Sequence, residues 1–479
     1  LNMLVSVSGA RLPTEGELSG ITLIPERVTW STSSGLYGSK LNELELDKIE
    51  LDNLGKLRAE PRRFARNYSL CSSADEVENE LAHAGNVVED LSFGASSLVI
   101  CEGSPPERNQ DREALLQAAA RLQSRRTKIT IVLGSGWARS QASASGSKLD
   151  CESLQNRFIS DLHGEVQKSP ICGFIGELDI EDETDIDTVI TAAALAQKAI
   201  GERKGNCYPP IIVNVSSLAQ GMVETLGNDV NAYLGSLPVF EHVFSACLQI
   251  VATFNDAFQP APVDNPQKPR LLLVGLLEAL PRPYIGLEAF SDGITQIMEK
   301  LLVFDFLSIG ASTSSELGVD IMAAAISRFY REGVCDRVCV RSGTCFKIHL
   351  SKQGGDGYVH GLARLQVCLA RAGVPRESIL GICGGNIIDA LSWYIPPEPP
   401  KPKARPRWKC DGPCGKDYSA KREPFTRLDY RYCSMECLRA HQRELEGEKT
   451  KTNDDQRRGG GGRRGVGNVG SWGVAVGSS

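Results

Sequence analysis

Short apolar runs alternate with helical stretches along most of this chain, and this alternation constrains the fold more than any other sequence feature. Repeated strand–helix units of this kind bury their strands in a parallel sheet, with the helices packed outside it. Eight such units predict a (β/α)8 TIM barrel. The predicted strands are residues 21–24, 86–91, 128–133, 171–175, 211–215, 271–274, 301–307 and 337–340.

Helices are predicted between these strands, among them residues 75–84, 112–124 and 186–200. The connection between the fifth and sixth strands, residues 216–270, is longer than one strand–helix unit needs. It contains two further helical stretches, near 218–226 and 239–253, and we interpret it as an insertion into the barrel.

The eighth strand and the loop after it carry the most specific motif, DRVCVRSGTCFK followed by GGDGY. This segment resembles the phosphotriesterase-related branch of the amidohydrolase superfamily, whose pattern is D-R, two apolar residues, L-S-H-D-x-C-F-K and then G-G-x-G-Y. The family's metal-binding Asp falls on Gly343 here, and the His before it falls on Ser342. The matching residues are Asp336, Arg337, Cys345, Phe346, Lys347, Gly354, Gly355, Gly357 and Tyr358.

The resemblance also implies where the metal ligands of such a barrel would lie, at the C-terminal ends of the strands. Only Glu177, at the end of the fourth strand, matches a family ligand, the bridging acidic residue. The other ligand positions hold residues unlike the family's: Pro25 and Arg27 on strand one, Asn214 on strand five, Leu276 on strand six and Gly343 on strand eight.

These replacements predict a degenerate metal site. Proline has no donor side chain, and a guanidinium stays protonated and repels a cation. A single carboxylate does not supply the several converging ligands that a metal centre requires. We therefore expect no metal in the barrel, and we expect Arg27 to pair with Glu177 where the metal would stand. If the barrel is active, Glu177 is the candidate catalytic residue.

Four cysteines near the C-terminus form a second motif. Cys410 and Cys414 lie in a turn with Gly and Pro, and Cys433 and Cys437 begin a helix predicted over 434–445, as in a treble-clef zinc finger. Four thiolates around zinc leave no open position for water, so the predicted zinc is structural. His441 could replace one thiol. The run YCSMEC also resembles half of a MYND-type finger, a class that binds proteins.

Composition changes sharply after residue 391. We predict a barrel over 10–395, a Pro-rich linker over 396–407, a four-cysteine zinc finger over 408–445 and a disordered Gly/Arg-rich tail over 446–479. From Lys401 onwards, 18 Lys and Arg outnumber 10 Asp and Glu, although the whole chain has a net charge of −6. The basic tail could bind RNA or another polyanion weakly, but its few arginines and lack of interleaved aromatic residues favour a solubilising role.

The remaining eleven of the 15 cysteines are scattered, as expected for reduced thiols in a cytoplasmic or nuclear protein. We find no long apolar run that predicts a membrane span and no signal peptide. The start at Leu1 suggests a fragment.

Two function classes remain open. The first is a non-catalytic barrel, a pseudoenzyme that serves with the zinc finger as a protein-binding scaffold, and the degenerate metal site favours it. The second is a metal-dependent hydrolase acting on phosphoester or lactone bonds, with a remodelled single-metal site or with acid–base chemistry at Glu177. The partner protein is not specified by the sequence.

Overall fold

Two structural units make up the chain, Leu1–Pro396 and Pro397–Ser479, and each is considered by itself. The structure, a computed structural model, describes residues 2–5, 11–13, 21–26, 28, 53–59, 70–90, 97–105, 111–122, 128–139, 150–163, 172–203, 208–219, 236–258, 270–281, 283, 286–313, 318–391, 393–394, 408–418, 424–427 and 429–458. The predicted linker over 396–407 lies outside these residues.

The first unit contains eleven described strands. They are β1 (Asn2–Val5), β2 (Arg11–Pro13), β3 (Ile21–Glu26), β4 (Ser97–Glu102), β5 (Lys128–Ala138), β6 (Phe174–Asp179), β7 (Ile211–Asn214), β8 (Leu271–Val274), β9 (Leu307–Ser312), β10 (Val338–Arg341) and β11 (Trp393–Tyr394). Strands β3 to β10 form one parallel eight-stranded sheet in sequence order. Strands β1, β2 and β11 form a small antiparallel sheet, so residues before position 10 belong to this unit.

Helices fill the connections between the strands. They are α1 (Leu54–Ala59), α2 (Ala74–Asp90), α3 (Arg112–Leu122), α4 (Cys151–His163), α5 (Ile186–Arg203), α6 (Leu237–Phe258), α7 (Leu287–Lys300), α8 (Val319–Arg331), α9 (His360–Arg371), α10 (Arg376–Leu380) and α11 (Asn386–Leu391). The first and last strands of the sheet, β3 and β10, lie next to each other without a hydrogen-bonded ladder between their described residues. The predicted TIM barrel is thus confirmed as a nearly closed barrel.

The barrel interior is packed with side chains. Strands such as β4 and β6 are buried along their whole length, as expected for strands covered on both faces. Helix α11 adds Ile387, Ile388 and Leu391 to the interior cluster. It is fastened at the start of β10, where Asn386 Nδ2 donates to the Val338 carbonyl over 2.7 Å. Helix α11 therefore fills the end of the barrel where the strands begin. The opposite end, where the strands end, is the one available for a site.

Three strand predictions are wrong in position. Residues 86–90 continue helix α2, because Val77, Leu81, Ala84 and Val88 repeat with helical spacing and are all buried; the strand is β4 instead. The seventh strand is β9 rather than residues 301–307, since the run LSIGAS is built of small residues that give little strand signal. The fourth strand, β6, begins three residues later than expected.

Helix α6 occupies the predicted insertion. By length and composition it is the one described helix that could cross a membrane, but half of the apolar window is buried in the barrel unit, as in the core helix of a globular domain. Its buried face includes Phe240, Phe244, Phe254 and Phe258. The helix predicted near 218–226 lies mostly outside the described residues.

The second unit has two short antiparallel sheets and one long helix. The strands are β12 (Trp408–Lys409), β13 (Asp417–Tyr418), β14 (Phe425–Arg427) and β15 (Tyr430–Tyr432), and the helix is α12 (Met435–Arg458). The predicted disordered tail begins too early, because α12 continues through residues 446–458. That stretch has no proline and is rich in the helix formers Glu, Lys and Arg. Residues 459–479 lie outside the described residues.

Candidate functional site

The C-terminal ends of the barrel strands bring three of the predicted positions into the interior. Glu177 on β6 is fully buried, Asn214 ends β7 and is 1% exposed, and Leu276 follows β8 and is fully buried. Pro25 lies in β3, although only its backbone is among the described residues, and Arg27 lies outside them.

A guanidinium joins two carboxylates across this end of the barrel. Arg341, the last residue of β10, places Nη1 3.6 Å from Glu177 Oε1 and Nη2 3.6 Å from Glu278 Oε1. Glu278 lies in a single 3₁₀ turn, Leu277–Ala279, just after β8. The Arg341 side chain is only 12% exposed. These separations are those of ion pairs rather than hydrogen bonds.

Arg341 and Glu278 are functional-site residues that the sequence analysis missed. The expected partner of Glu177 was Arg27, which lies outside the described residues, whereas the described cation beside Glu177 is Arg341. The available signal was a charged residue at the end of the otherwise apolar strand VCVR. In a TIM barrel that position faces the site end.

Burial raises the pKa of the Glu278 carboxyl, and the nearby Arg341 charge opposes that rise. Removal from water disfavours the ionised carboxylate, while a guanidinium close by favours it. The Arg341 guanidinium therefore favours the ionised form of Glu278 against the effect of burial.

Other buried polar side chains at this end of the barrel form hydrogen bonds with the turns around them. The Glu102 carboxylate accepts hydrogen bonds from the Val28 N–H over 2.5 Å and from the Ser104 N–H over 2.9 Å. Asn214 Oδ1 accepts from both the N–H and the hydroxyl of Ser216, at 3.0 and 2.7 Å. The Asn214 side chain therefore holds the turn after β7.

The turn after β10 is also held by hydrogen bonds from its side chains. Gly343 has φ 71°, a left-handed conformation that glycine adopts readily. The buried Ser342 hydroxyl accepts from the Thr344 N–H over 3.0 Å, and the Thr344 hydroxyl donates to the Gly357 carbonyl over 3.2 Å. Ser342 and Thr344 thus tie the strand to the glycine-rich loop.

A binuclear metal centre of the kind implied by the fold does not fit these residues. Leu276 and Gly343 have no donor atom, and the Asn214 oxygen is already engaged. The Arg341 guanidinium lies beside both Glu177 and Glu278, where it repels a cation. Among the described residues, the barrel holds no group of three His, Cys, Asp or Glu ligands close enough to share one ion.

The four cysteines of the second unit do form such a group. The Sγ atoms of Cys410, Cys414, Cys433 and Cys437 all lie within 4.8 Å of one another. Cys433 Sγ is 3.5 Å from Cys414 Sγ and 3.4 Å from Cys437 Sγ. Four thiolates at zinc bonding distance are about 3.8 Å apart in a tetrahedron. The donor set therefore fits one zinc ion.

Two local structures hold these thiols in place. Cys410 and Cys414 flank a turn in which a Cβ at Gly412 would meet the Cys437 carbonyl oxygen at 2.9 Å. On the other side, the Ser434 hydroxyl accepts from the Cys437 N–H over 3.3 Å at the start of α12. A hydrogen bond from the Tyr418 hydroxyl also reaches Cys433 and lowers the pKa of that thiol.

His441, the alternative ligand, is not part of the cysteine group. Its Nδ1 is 2.9 Å from the Tyr432 hydroxyl, and its ring packs edge-on against Tyr430. The structure therefore brings together the four predicted thiols and gives the histidine a packing role.

Comparison with known proteins agrees with both units. Residues 407–449 match the family model of the Vms1-associating treble clef domain, which confirms the predicted treble clef. No curated protein matches the chain. The structural neighbours of the barrel are phosphotriesterase-like amidohydrolase TIM barrels, which confirms the predicted resemblance.

Two solved structures illustrate this likeness. A resiniferatoxin-binding protein from Rhodobacter sphaeroides is 16% identical, with a TM-score of 0.52 over 81% of this chain and 94% of that chain. The phosphotriesterase homology protein from Escherichia coli, solved with phosphate in its active site, is 15% identical, with a TM-score of 0.50 over 78% of this chain and 99% of that chain. At these identities the likeness establishes the fold alone.

Proposed function

We propose that this barrel is a catalytically degenerate relative of the phosphotriesterase-like enzymes and that it acts, with its zinc finger, as a protein-binding scaffold. The observation that carries the proposal is the Arg341 guanidinium beside the Glu177 and Glu278 carboxylates at the C-terminal end of the barrel. The positively charged side chain of Arg341 therefore lies beside two carboxylates that could otherwise bind a metal ion.

Metal-assisted hydrolysis needs a bound water and an open coordination position on a metal held by several ligands. Glu177 is the one described residue that matches a family ligand, and it is paired with Arg341. The Asn214 and Ser342 side chains are engaged in local turns. These contacts support a pocket that is held together for stability rather than for turnover.

The zinc finger fits the same role. Cys410, Cys414, Cys433 and Cys437 would hold one zinc ion with all four positions taken by thiolates, so the ion would stabilise the fold of the second unit. We further propose that the basic tail adds weak affinity for RNA or another polyanion. None of the fourteen described cysteines is in a disulfide bond, which supports our proposal of a cytoplasmic or nuclear location.

A hydrolase acting on phosphoester or lactone bonds is the second candidate. Its support is the barrel fold shared with a phosphotriesterase homology protein, together with the pKa of Glu278. Burial raises that pKa, and Glu278 and Glu177 both lie within 3.6 Å of Arg341 at the site end.

A turnover screen separates the two candidates. The full chain, supplied with zinc or manganese, would be tested on phosphotriester, phosphomonoester and lactone probes beside Glu177→Gln. The exposed Glu113→Gln on α3 serves as the matched control. We expect no turnover above buffer. Turnover by the wild type and by Glu113→Gln that is lost in Glu177→Gln contradicts the scaffold proposal.

A further inference from the structure

The hairpin formed by β14 and β15 has one edge that is already occupied. The Asp411 N–H donates to the Arg431 carbonyl over 2.8 Å, and the Arg431 N–H donates to Asp411 Oδ2 over 2.6 Å. Both backbone groups of Arg431 are therefore directed away from β14, toward the turn that carries the first two cysteines.

The outward direction of the Arg431 backbone groups determines which backbone groups lie at the other edge of the hairpin, on β14. Arg431 is paired with Thr426, and in an antiparallel ladder the two residues of a pair point their backbone groups either toward each other or both outward. The N–H and carbonyl of Thr426 therefore face out from the β14 edge, where no other described residue bonds to them. Such an edge is a template for another strand.

The side chains beside this edge combine an aromatic ring with a positive charge. Phe425 and Arg427, two residues apart, lie on the same face of β14, and both are exposed, Phe425 by 50%. Tyr430 on β15, paired with Arg427, is 43% exposed. No carboxylate of the described residues lies within ion-pairing distance of Arg427. Arg427 is therefore the exposed cation that this edge offers to a partner.

We propose that the β14 edge binds an extended, acidic segment of a partner protein by strand addition. The backbone of that segment would pair with Thr426, while an acidic side chain faces Arg427 and an apolar side chain two residues away packs on Phe425. This inference rests on the proposed scaffold role and gives the chemical character of the partner.

The test uses the full chain and two labelled heptapeptides, acetyl-TVTETVT-amide and acetyl-TVTKTVT-amide, with fluorescence anisotropy as the measurement. The valines on both sides of the central residue allow either strand direction to place an apolar side chain beside Phe425. We expect the Glu peptide to bind at least about tenfold more tightly than the Lys peptide, a difference of about 1.4 kcal/mol.

Two substitutions at Thr426 isolate the backbone contact. Proline is tolerated on an edge strand where the N–H faces outward, so Thr426→Pro should keep the hairpin but lose peptide binding about tenfold or more. Thr426→Val keeps the N–H and should bind like the wild type. Arg427→Glu should reverse the preference toward the Lys peptide. Unchanged zinc content shows that each variant is folded, and Arg427→Glu alone decides the question if proline disturbs the hairpin.

Several results would overturn the inference. One is that the Glu peptide does not bind up to about 1 mM, the range of weak recognition. The others are that both peptides bind equally, or that a folded Thr426→Pro variant binds the Glu peptide as tightly as the wild type. A single-stranded oligouridine that binds the wild type and Thr426→Pro equally but not Arg427→Glu would assign the face to nucleic acid. A dimer that Thr426→Pro abolishes would assign the edge to a second copy. None of these outcomes depends on hydrolysis, so they are distinct from the turnover screen.

Discussion

The Arg341 guanidinium lies 3.6 Å from the buried Glu177 carboxylate and thereby joins the ends of the eighth and fourth strands of the barrel. Glu177 is fully buried and the Arg341 side chain is 12% exposed, so this pair is largely removed from water. In such a setting the loss of Arg341 removes the cation that lies beside both Glu177 and Glu278, which is costly for buried carboxylates.

Arg341→Met should therefore lower the free energy of unfolding of the barrel by about 3 kcal/mol, measured by urea denaturation. Arg364, which pairs with Asp356 on the surface, is the matched control, and Arg364→Met should cost less than about 1 kcal/mol. In the triple variant Glu177→Gln, Glu278→Gln and Arg341→Met, which removes both carboxylates together with their cation, much of the stability should return. Equal, small costs for both arginines would show that the buried pair contributes little.

His349 should make stability depend on pH. Burial lowers its pKa to about 4 from an ordinary value of 6.5, so between these values the unfolded chain binds the proton more strongly. Stability contributed by the neutral ring is complete above pH 6.5 and is lost as pH falls toward 4, by up to about 3 kcal/mol. The difference in unfolding free energy between the wild type and His349→Gln, measured from pH 7 to pH 4, should shrink by this amount. A constant difference would contradict the assignment.

Zinc retention in variants should show that the four cysteines bind the ion and that His441 does not. Cys433→Ser removes one ligand and should lose the zinc, together with the helical signal of α12. His441→Phe keeps the ring packing against Tyr430, loses only the bond to Tyr432, and should retain zinc. Cys345→Ser, outside the group, is the control. Loss of zinc from His441→Phe would make the histidine a ligand.

The glycine-rich loop should depend on Glu80. This buried carboxylate of α2 accepts hydrogen bonds from both the N–H and the hydroxyl of Ser351, each 2.8 Å long. Glu80→Ala should cost about 2 kcal/mol and speed hydrogen exchange of the amides from 351 to 357. The exposed Glu113→Ala should leave that exchange unchanged. If both variants exchange like the wild type, the loop is held by other contacts.

The accuracy of the sequence predictions follows the physical signal that each element carries. Residues 271–274 were predicted with the bounds of β8 because four consecutive leucine and valine residues are buried on both faces. Strand β9 was misplaced because small residues give no comparable run, and residues 86–90 were misassigned because two valines outweighed the helical spacing.

At the candidate sites, the sequence indicated residues that belong to short local motifs. It did not indicate which residues far apart in the chain form pairs. The four cysteines were predicted in full because two short spacings place them in one turn and one helix start. Glu177 was located from its strand, but its pairing with Arg341 depends on the closure of the barrel, which brings residues far apart in sequence together. Arg27, predicted for that place, lies outside the described residues.

The central claim is tested most directly by the metal content of the full chain, purified without chelator and measured by elemental analysis beside Cys433→Ser. We predict one zinc per wild-type chain and none in Cys433→Ser, because the cysteine group fits an ion while Arg341 stands beside the barrel carboxylates. Two or three metal ions per chain, with one or two remaining in Cys433→Ser, would place metal in the barrel and contradict the account.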